Sequence, residues 1–143
     1  IANFEEAAEA LLQSFELSHK RDTLVHNLSR GMRQKVAIAC AFLHDPKAIL
    51  FDEPLTGLDP QGIRGIQQAI RERAHNGAAV IISSHLLSLF ESLCTHVMVL
   101  NLGECRRFGT MSDVLSEFGQ SDSNSALEAA YFTITQNKAA GEV

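Results

Sequence analysis

Two consecutive carboxylates, Asp52 and Glu53, follow a short apolar run, AILF, at positions 48–51. An uninterrupted apolar run of this length predicts a strand buried on both faces of a parallel sheet. The pair is hard to explain by packing, because neighbouring strand residues point to opposite faces and an unpaired buried charge is costly. In nucleotide hydrolysis, one carboxylate holds a magnesium ion and another positions the attacking water. Asp52 suits the first role and Glu53 the second.

A second apolar run, 78–82, ends in Ser83, Ser84 and His85. A histidine that stands alone is more often a solvated or core side chain than a functional one. In open α/β sheets, however, functional groups gather outside the carboxyl ends of the strands. We therefore expect Asp52, Glu53 and His85 at the same edge of a parallel sheet.

Ser29 and Gly31 stand at the start of a run that predicts a helix from Ser29 to about His44. Such a helix start offers a hydroxyl, exposed backbone N–H groups and the positive end of the helix dipole, which together bind an anion such as phosphate. On these residues alone, an ordinary helix N-cap is the simpler interpretation.

The remaining periodicity supplies the elements that must position these groups. Helices are predicted over 4–15 behind Asn3 as a cap, from Asp59 and Pro60 to Asn76, over 86–93, over 110–118, and from Ser125 with Glu128 as a capping box. Two further strands, 96–100 and 105–108, form a predicted antiparallel hairpin. Alternating strands and helices favour the α/β class. The predicted buried helix faces are Met32, Val36, Ala39, Cys40 and Leu43, and Ile63, Ile66, Ile70 and Ala74.

Composition narrows the classes of function. The 143 residues, 45% hydrophobic and 20% charged, suit one soluble domain or part of one. A net charge of −5 and scattered basic residues argue against a nucleic-acid partner. Three cysteines without C-x-x-C spacing indicate neither a disulfide framework nor a zinc site, so a reducing, cytoplasmic compartment fits best.

Four ordered motifs together resemble the ATPase domain of ABC transporters. LSRGM at 28–32 resembles the signature LSGGQ, and AILFDEP at 48–54 resembles a Walker B strand. TGLDP at 56–60 is similar to the D-loop, and SSH at 83–85 to the switch histidine. The ending SALEAAYFTIT is similar to that of ABC-2-type exporter ATPases. The chain thus resembles the C-terminal half of an ABC transporter ATP-binding domain.

The resemblance implies ATP and Mg²⁺ as cofactors and a role for each motif. Glu53 and His85 are the implied catalytic residues, with His85 sensing the γ-phosphate in its own subunit, and Asp52 is the implied metal ligand. Signature residues contact the γ-phosphate of a nucleotide held by a second subunit, and the D-loop aspartate touches that subunit. The implied cofactor-binding residues are Ser29, Arg30, Gly31, Met32 and Asp59, of which Arg30 and Met32 depart from the family signature.

The implied fold is a partial P-loop NTPase domain of the ABC ATPase type, with parallel strands flanked by helices and without the Walker A half. No G-x-x-x-x-G-K-[ST] motif occurs in the sequence. Residues 1–28 correspond to the end of the helical subdomain and a connector, 29–119 to half of a RecA-like core, and 120–143 to a linker and C-terminal tail. We expect such a fragment not to hydrolyse ATP alone.

The implied function is that of a motor subunit that dimerises head to tail, engages a membrane permease at the inner face of the cell membrane, and drives transport, with export favoured. Three alternatives stay open: a chromosome-maintenance or DNA-repair ATPase of the SMC type, a translation factor of the ABC class, or a non-catalytic interaction remnant. A single short helix before the signature argues against an SMC-type ATPase, which has a coiled coil there. TGLDP differs from the TNHLD that is typical of ABC-class translation factors.

Overall fold

The computed structural model describes residues 4–118 and 125–136. The chain divides into two compact units, Ile1–Ser84 and His85–Val143. The predicted cap Asn3, most of the predicted linker at 119–125 and the tail 137–143 lie outside the described residues. Within the described ranges, no helix combines the length and apolarity that crossing a membrane requires. The domain boundaries implied by the resemblance stay predictions.

The first unit begins with two helices, α1 (Phe4–Ser14) and α2 (Arg30–Phe42), separated by two short 3-10 turns at Ser18–Lys20 and Val25–Asn27. A βαβ unit follows, made of β1 (Ala48–Asp52), α3 (Pro60–His75) and β2 (Ala79–Ser83). The strands pair in parallel, from Ala48 opposite Ala79 to Asp52 opposite Ser83. This register places the two predicted functional strand ends side by side.

Local signals account for the bounds of α3. Asp59 caps its first turn by accepting a hydrogen bond from the N–H of Gly62 at 2.8 Å, and Pro60 occupies the first turn. Proline suits that position because its missing N–H would have no partner within the helix. Gly77, with φ of +92°, follows the helix end in the left-handed region that glycine adopts most readily. The predicted bounds of this helix are confirmed.

Three phenylalanine rings connect the end of α1, α2 and β1. The ring of Phe42 lies 6.3 Å from that of Phe15 and 5.6 Å from that of Phe51, the latter edge to face. Phe15 and Phe42 are among the most completely buried large side chains of the chain. Because buried aromatic side chains contribute most per residue to a core, this cluster orients α2 on the sheet.

The predicted buried face of α2 is largely wrong. Its buried residues are Ile38, Ala39 and Phe42, whereas Cys40 is exposed. Apolar residues occur around the whole circumference of this helix, so periodicity does not select one side, and the contacts of Phe42 do. On α3 the buried Ile66 and Ile70 are as predicted, but Ala74 is exposed. The remaining predicted face residues, Met32, Val36, Leu43 and Ile63, are only half-buried.

The predicted burial of both strands on two faces is also wrong. Ile49 on β1 is 4% exposed, whereas its neighbour Leu50 is 75% exposed and Ile81, opposite Leu50 on β2, is 64% exposed. The ring of Phe42 covers the side that Phe51 shares with Ile49. A continuous apolar run shows that both faces of a strand are suited to burial. It does not show that another element packs against the second face.

The second unit contains a one-turn helix α4 (Leu87–Phe90), strands β3 (His96–Asn101) and β4 (Glu104–Thr110), and helices α5 (Met111–Phe118) and α6 (Ala126–Gln136). The antiparallel pairing of β3 and β4 confirms the predicted hairpin. Its two loop residues, Leu102 and Gly103, have φ of +52° and +79°, as a type I′ turn requires. The helix predicted over 86–93 is wrong in length, because regular structure ends at Phe90.

A partly buried carboxylate contact anchors α6. Glu91 accepts hydrogen bonds from the Ser125 hydroxyl at 2.7 Å and the Leu127 N–H at 3.0 Å, and the Ser125 hydroxyl in turn accepts from the Glu128 N–H at 3.3 Å. The serine half of the predicted capping box is thus confirmed. The backbone N–H of Leu127 and then the Ser125 hydroxyl lower the pKa of Glu91, because they donate to its ionised form.

We expect Glu91→Ala to lower the free energy of unfolding of the second unit by about 2 kcal/mol, because it removes hydrogen bonds to a charged group. A lowered folded-state pKa means that this stabilisation is present at neutral pH and is lost as the pH falls below about 4.3. Denaturant unfolding at pH 7 and pH 3 measures both effects. Glu117→Ala, which removes a partly exposed ion pair with Arg107, is the control and should cost about 1 kcal/mol or less. Equal losses of unfolding free energy in the two variants would contradict the proposed role of Glu91 in anchoring α6.

Candidate functional site

Asp52 lies at the carboxyl end of β1, and its side chain is exposed. Its Oδ1 accepts a short hydrogen bond from the hydroxyl of Ser83, the residue directly opposite on β2. The hydroxyl fixes the orientation of the carboxylate at the strand end. Asp52 therefore presents a pre-oriented anionic oxygen donor to solvent.

Glu53 leaves the strand in a conformation that only a minority of non-glycine residues adopt. Its φ is +47°, in the left-handed region. Three hydrogen bonds hold it there: its N–H donates to the Ser83 carbonyl at 2.9 Å, and its Oε2 accepts from the hydroxyls of Thr56 at 3.2 Å and Ser84 at 3.1 Å. Backbone strain of this kind concentrates at functional sites, where surrounding contacts maintain it.

Sequence reasoning did not identify Thr56 and Ser84 as partners of Glu53. The two hydroxyls reach the carboxylate from different segments, Thr56 from the loop after β1 and Ser84 from the position after β2. The parallel strand register was the one signal that could have placed Ser84 near Glu53, because it brings the two strand ends together.

Ser29 is the N-cap of α2, and its Oγ accepts a hydrogen bond from the Met32 N–H at 3.2 Å. The simple N-cap interpretation is thus confirmed, and it is compatible with an anion site because further N–H groups of a first helical turn have no partner within the helix. Ser29 and Arg30 are exposed, whereas Gly31 and Met32 are half-buried. The first turn of this 13-residue helix therefore faces solvent on one side.

The same helix turn contacts the loop that follows Glu53. A Cβ atom added to Gly31 would lie 3.1 Å from the Gly57 carbonyl oxygen, and one added to Gly57 would lie 3.3 Å from Nε of Arg30. The side chain of Gln34 donates from Nε2 to the Pro54 carbonyl at 3.2 Å. The structure thus brings the signature-like segment into contact with the D-loop-like segment, and a later turn of α2 into contact with the last residue of the Walker B-like segment.

Asp59 ends this loop and caps α3 through its Oδ1. A Cβ added to Gly62 would lie 2.7 Å from that oxygen and 2.8 Å from Cε of Lys35, so this turn is closely packed. Seven of the eight predicted site residues, up to and including Asp59, belong to the first unit. His85 is exposed and is the first residue of the second unit, two positions before α4.

The described residues offer a limited set of metal ligands. Within the ranges 4–118 and 125–136, no group of three or more histidine, cysteine or acidic side chains could hold a metal ion. Mg²⁺ nevertheless commonly takes one or two protein carboxylates and completes its shell with phosphate oxygens and water. The exposed, oriented Asp52 fits the role of a single protein ligand for such an ion.

Comparisons with known proteins agree with this geometry. A family model described as ABC transporter matches residues 3–56. The ABC-type transporter ATP-binding protein EcsA of Bacillus subtilis is 36% identical over 132 residues, which make up 92% of this chain and 53% of EcsA. The lipopolysaccharide export system ATP-binding protein LptB of Haemophilus influenzae is 34% identical over 112 residues, or 78% of this chain and 46% of LptB. The chain thus spans about half the length of the curated relatives it matches.

Solved structures support the same assignment. The structure of an ATP-binding subunit of an ABC transporter matches with a TM-score of 0.83 at 33% identity, over 93% of this chain and 55% of that structure. A nucleotide-free ATP-binding cassette from an ABC transporter gives a TM-score of 0.68 at 28% identity, over 81% of this chain and 47% of that structure. The predicted α/β class and the family resemblance are confirmed. The chain belongs to the ABC transporter ATP-binding family.

Proposed function

We propose that this chain supplies the signature, Walker B, D-loop and switch segments of the ATP-hydrolysing motor subunit of an ABC transporter. The observation that carries the proposal is the left-handed Glu53, held by Ser84 and Thr56 directly after the exposed Asp52. Two carboxylates in different environments suit two different tasks in phosphoryl transfer to water. Family membership supports the same reaction.

In this proposal Asp52 would hold Mg²⁺, which would supply positive charge to stabilise the negative charge that develops during phosphoryl transfer. Glu53 accepts the proton of the attacking water and orients that water. The hydroxyls of Ser84 and Thr56 restrict the carboxylate to one orientation, so less conformational freedom is lost when water and phosphate come into line. His85 contacts the γ-phosphate within the same subunit.

The first turn of α2 acts on a nucleotide held by a second subunit. Ser29 and the backbone N–H groups near Gly31 bind its γ-phosphate, with Arg30 and Met32 at the edge of the contact. Asp59 lies at the subunit boundary. A head-to-tail dimer with two equivalent nucleotides follows from such a contact, because each subunit completes the site of the other.

We further propose that the subunit acts at the inner face of the cell membrane through a permease, in the direction of export. The similarity to EcsA, an ABC-type transporter ATP-binding protein, supports a role in transport, and the similarity to LptB, an export system ATP-binding protein, supports export.

The absence of a Walker A motif from the sequence leads to a prediction about ATP binding. Without the backbone N–H groups and lysine of a phosphate loop, the 143-residue chain should not bind Mg-ATP measurably by calorimetry. A chimera in which the EcsA segment that precedes the matched region is joined to Ile1 should bind it. Comparable binding by the chain alone would contradict the assignment of the phosphate site to another segment.

In that chimera, Glu53→Gln should reduce the turnover number by at least about 100-fold while ATP affinity stays within about threefold, because only activation of the water is lost. Steady-state phosphate release and calorimetry separate the two quantities. Glu72→Gln on the exposed side of α3 is the matched control and should keep wild-type turnover. Undiminished hydrolysis in Glu53→Gln would remove Glu53 from the reaction.

In the Glu53→Gln background, Ser29→Arg should prevent ATP-dependent dimers, because it places bulk and charge where the phosphate of the partner's nucleotide would bind. Sedimentation velocity with Mg-ATP measures the dimer fraction. Ser29→Ala distinguishes loss of the helix cap from obstruction of the phosphate site, since it lowers stability by about 1 kcal/mol without adding bulk. Ser116→Arg, at an exposed position of α5, is the control for added charge. Normal dimers in Ser29→Arg would argue against the contact between subunits.

A further inference from the structure

We propose that Gln34 is a positioning residue that holds the loop 53–58, and with it Glu53, against the first turns of α2. This inference rests on the proposed function for its catalytic consequence, but the mechanical role of Gln34 is testable without it. The side chain of Gln34 donates its hydrogen bond to Pro54, and neither residue carries one of the roles assigned above.

The side chain of Gln34 crosses from α2 to the residue that follows Glu53. Its Nε2 donates to the Pro54 carbonyl at 3.2 Å across a partly buried contact. Pro54 and Leu55 are almost completely buried, Leu55 at 1% exposure. A buried carbonyl needs a donor, and glutamine supplies one without introducing a charge. Gln34 therefore fixes the backbone one residue after the strained Glu53.

Two further contacts place the same loop on the same helix. Gly31 packs so closely against the Gly57 carbonyl that a Cβ would lie 3.1 Å from it, and the Arg30 side chain lies beside Gly57, with Nε 3.3 Å from where a Cβ of Gly57 would be. Gly57 has φ of +79°, a conformation that side chains rarely adopt. Gln34, Gly31 and Arg30 thus form a seat for the loop, and we call these three residues the loop seat.

The position of the loop seat has a consequence for function. Ser29, at the exposed start of α2, is the proposed contact for the partner's nucleotide, and the loop seat lies within the next five residues of the same helix. A displacement of the first turn would shift the contacts with Pro54 and Gly57, because all of them lie on one rigid helical segment. Gln34 would thereby make water activation depend on dimer closure.

Hydrogen exchange of the 143-residue chain tests the mechanical part. Gln34→Met keeps the length and helix propensity of the side chain but removes the donor. We expect exchange at least about 10-fold faster for the amides of Glu53, Thr56 and Leu58, which donate to Ser83, Glu53 and Leu55. Exchange in the hairpin β3–β4 should not change. Gln68→Met, which removes an exposed contact with Glu72, is the matched control and should leave the loop at the wild-type rate.

The EcsA chimera tests the catalytic part. Gln34→Met should lower the turnover number about 10- to 100-fold with an unchanged dissociation constant for Mg-ATP, as expected for a displaced catalytic group. Gln34→Lys, which restores a donor, should recover part of the loss. Unchanged loop exchange overturns the proposal, and so does faster exchange with undiminished turnover. A wild-type chimera that binds no ATP would instead contradict the proposed function, while the exchange comparison still decides whether Gln34 holds the loop.

Discussion

The left-handed backbone of Glu53 is the constraint on which the rest of the candidate site depends. A non-glycine residue in this region costs about 1–2 kcal/mol, so the structure must supply contacts that outweigh the cost. Ser83 supplies a backbone acceptor, Ser84 and Thr56 supply hydroxyl donors, and the buried Pro54 and Leu55 anchor the loop that follows. The bend at Glu53 places the carboxylates of Asp52 and Glu53 in different surroundings. The exposed oxygen donor Asp52 is thus followed directly by a carboxylate that two hydroxyls orient.

This constraint also explains why the two parallel strands must keep their register. Asp52 pairs with Ser83, so a slip by one residue would move Ser83 and Ser84 away from both carboxylates. Ile49 is covered on one face, where Phe42 packs against neighbouring Phe51, while Leu50 and Ile81 are largely exposed on the other. The covered face therefore sets the register from within this unit. Among the described residues, the exposed pair Leu50 and Ile81 does not help to set the register.

Prediction from the sequence succeeded where structure is decided locally. Asp59 and Pro60 start α3, and the Leu102–Gly103 pair turns the hairpin, because each depends on side chains within a few positions. It failed where distant partners decide. The buried side of α2 depends on Phe15 and Phe51, and the α6 anchor joins Glu91 to residues more than thirty positions away. Periodicity carries no information about such partners, so neither could be derived from spacing.

The packing around Arg30 accounts for one of the two departures of LSRGM from the family signature. Position 30 is exposed and accommodates a long side chain, which lies beside Gly57. Position 31 has no such room, because any Cβ would approach the Gly57 carbonyl to 3.1 Å. The glycine that remains in the signature is therefore the one that the loop seat requires. Gly57 has the left-handed φ that glycine adopts most readily, and Gly31 lies against its carbonyl, so each position favours glycine for its own reason. Arg30 adds a contact beside this pair.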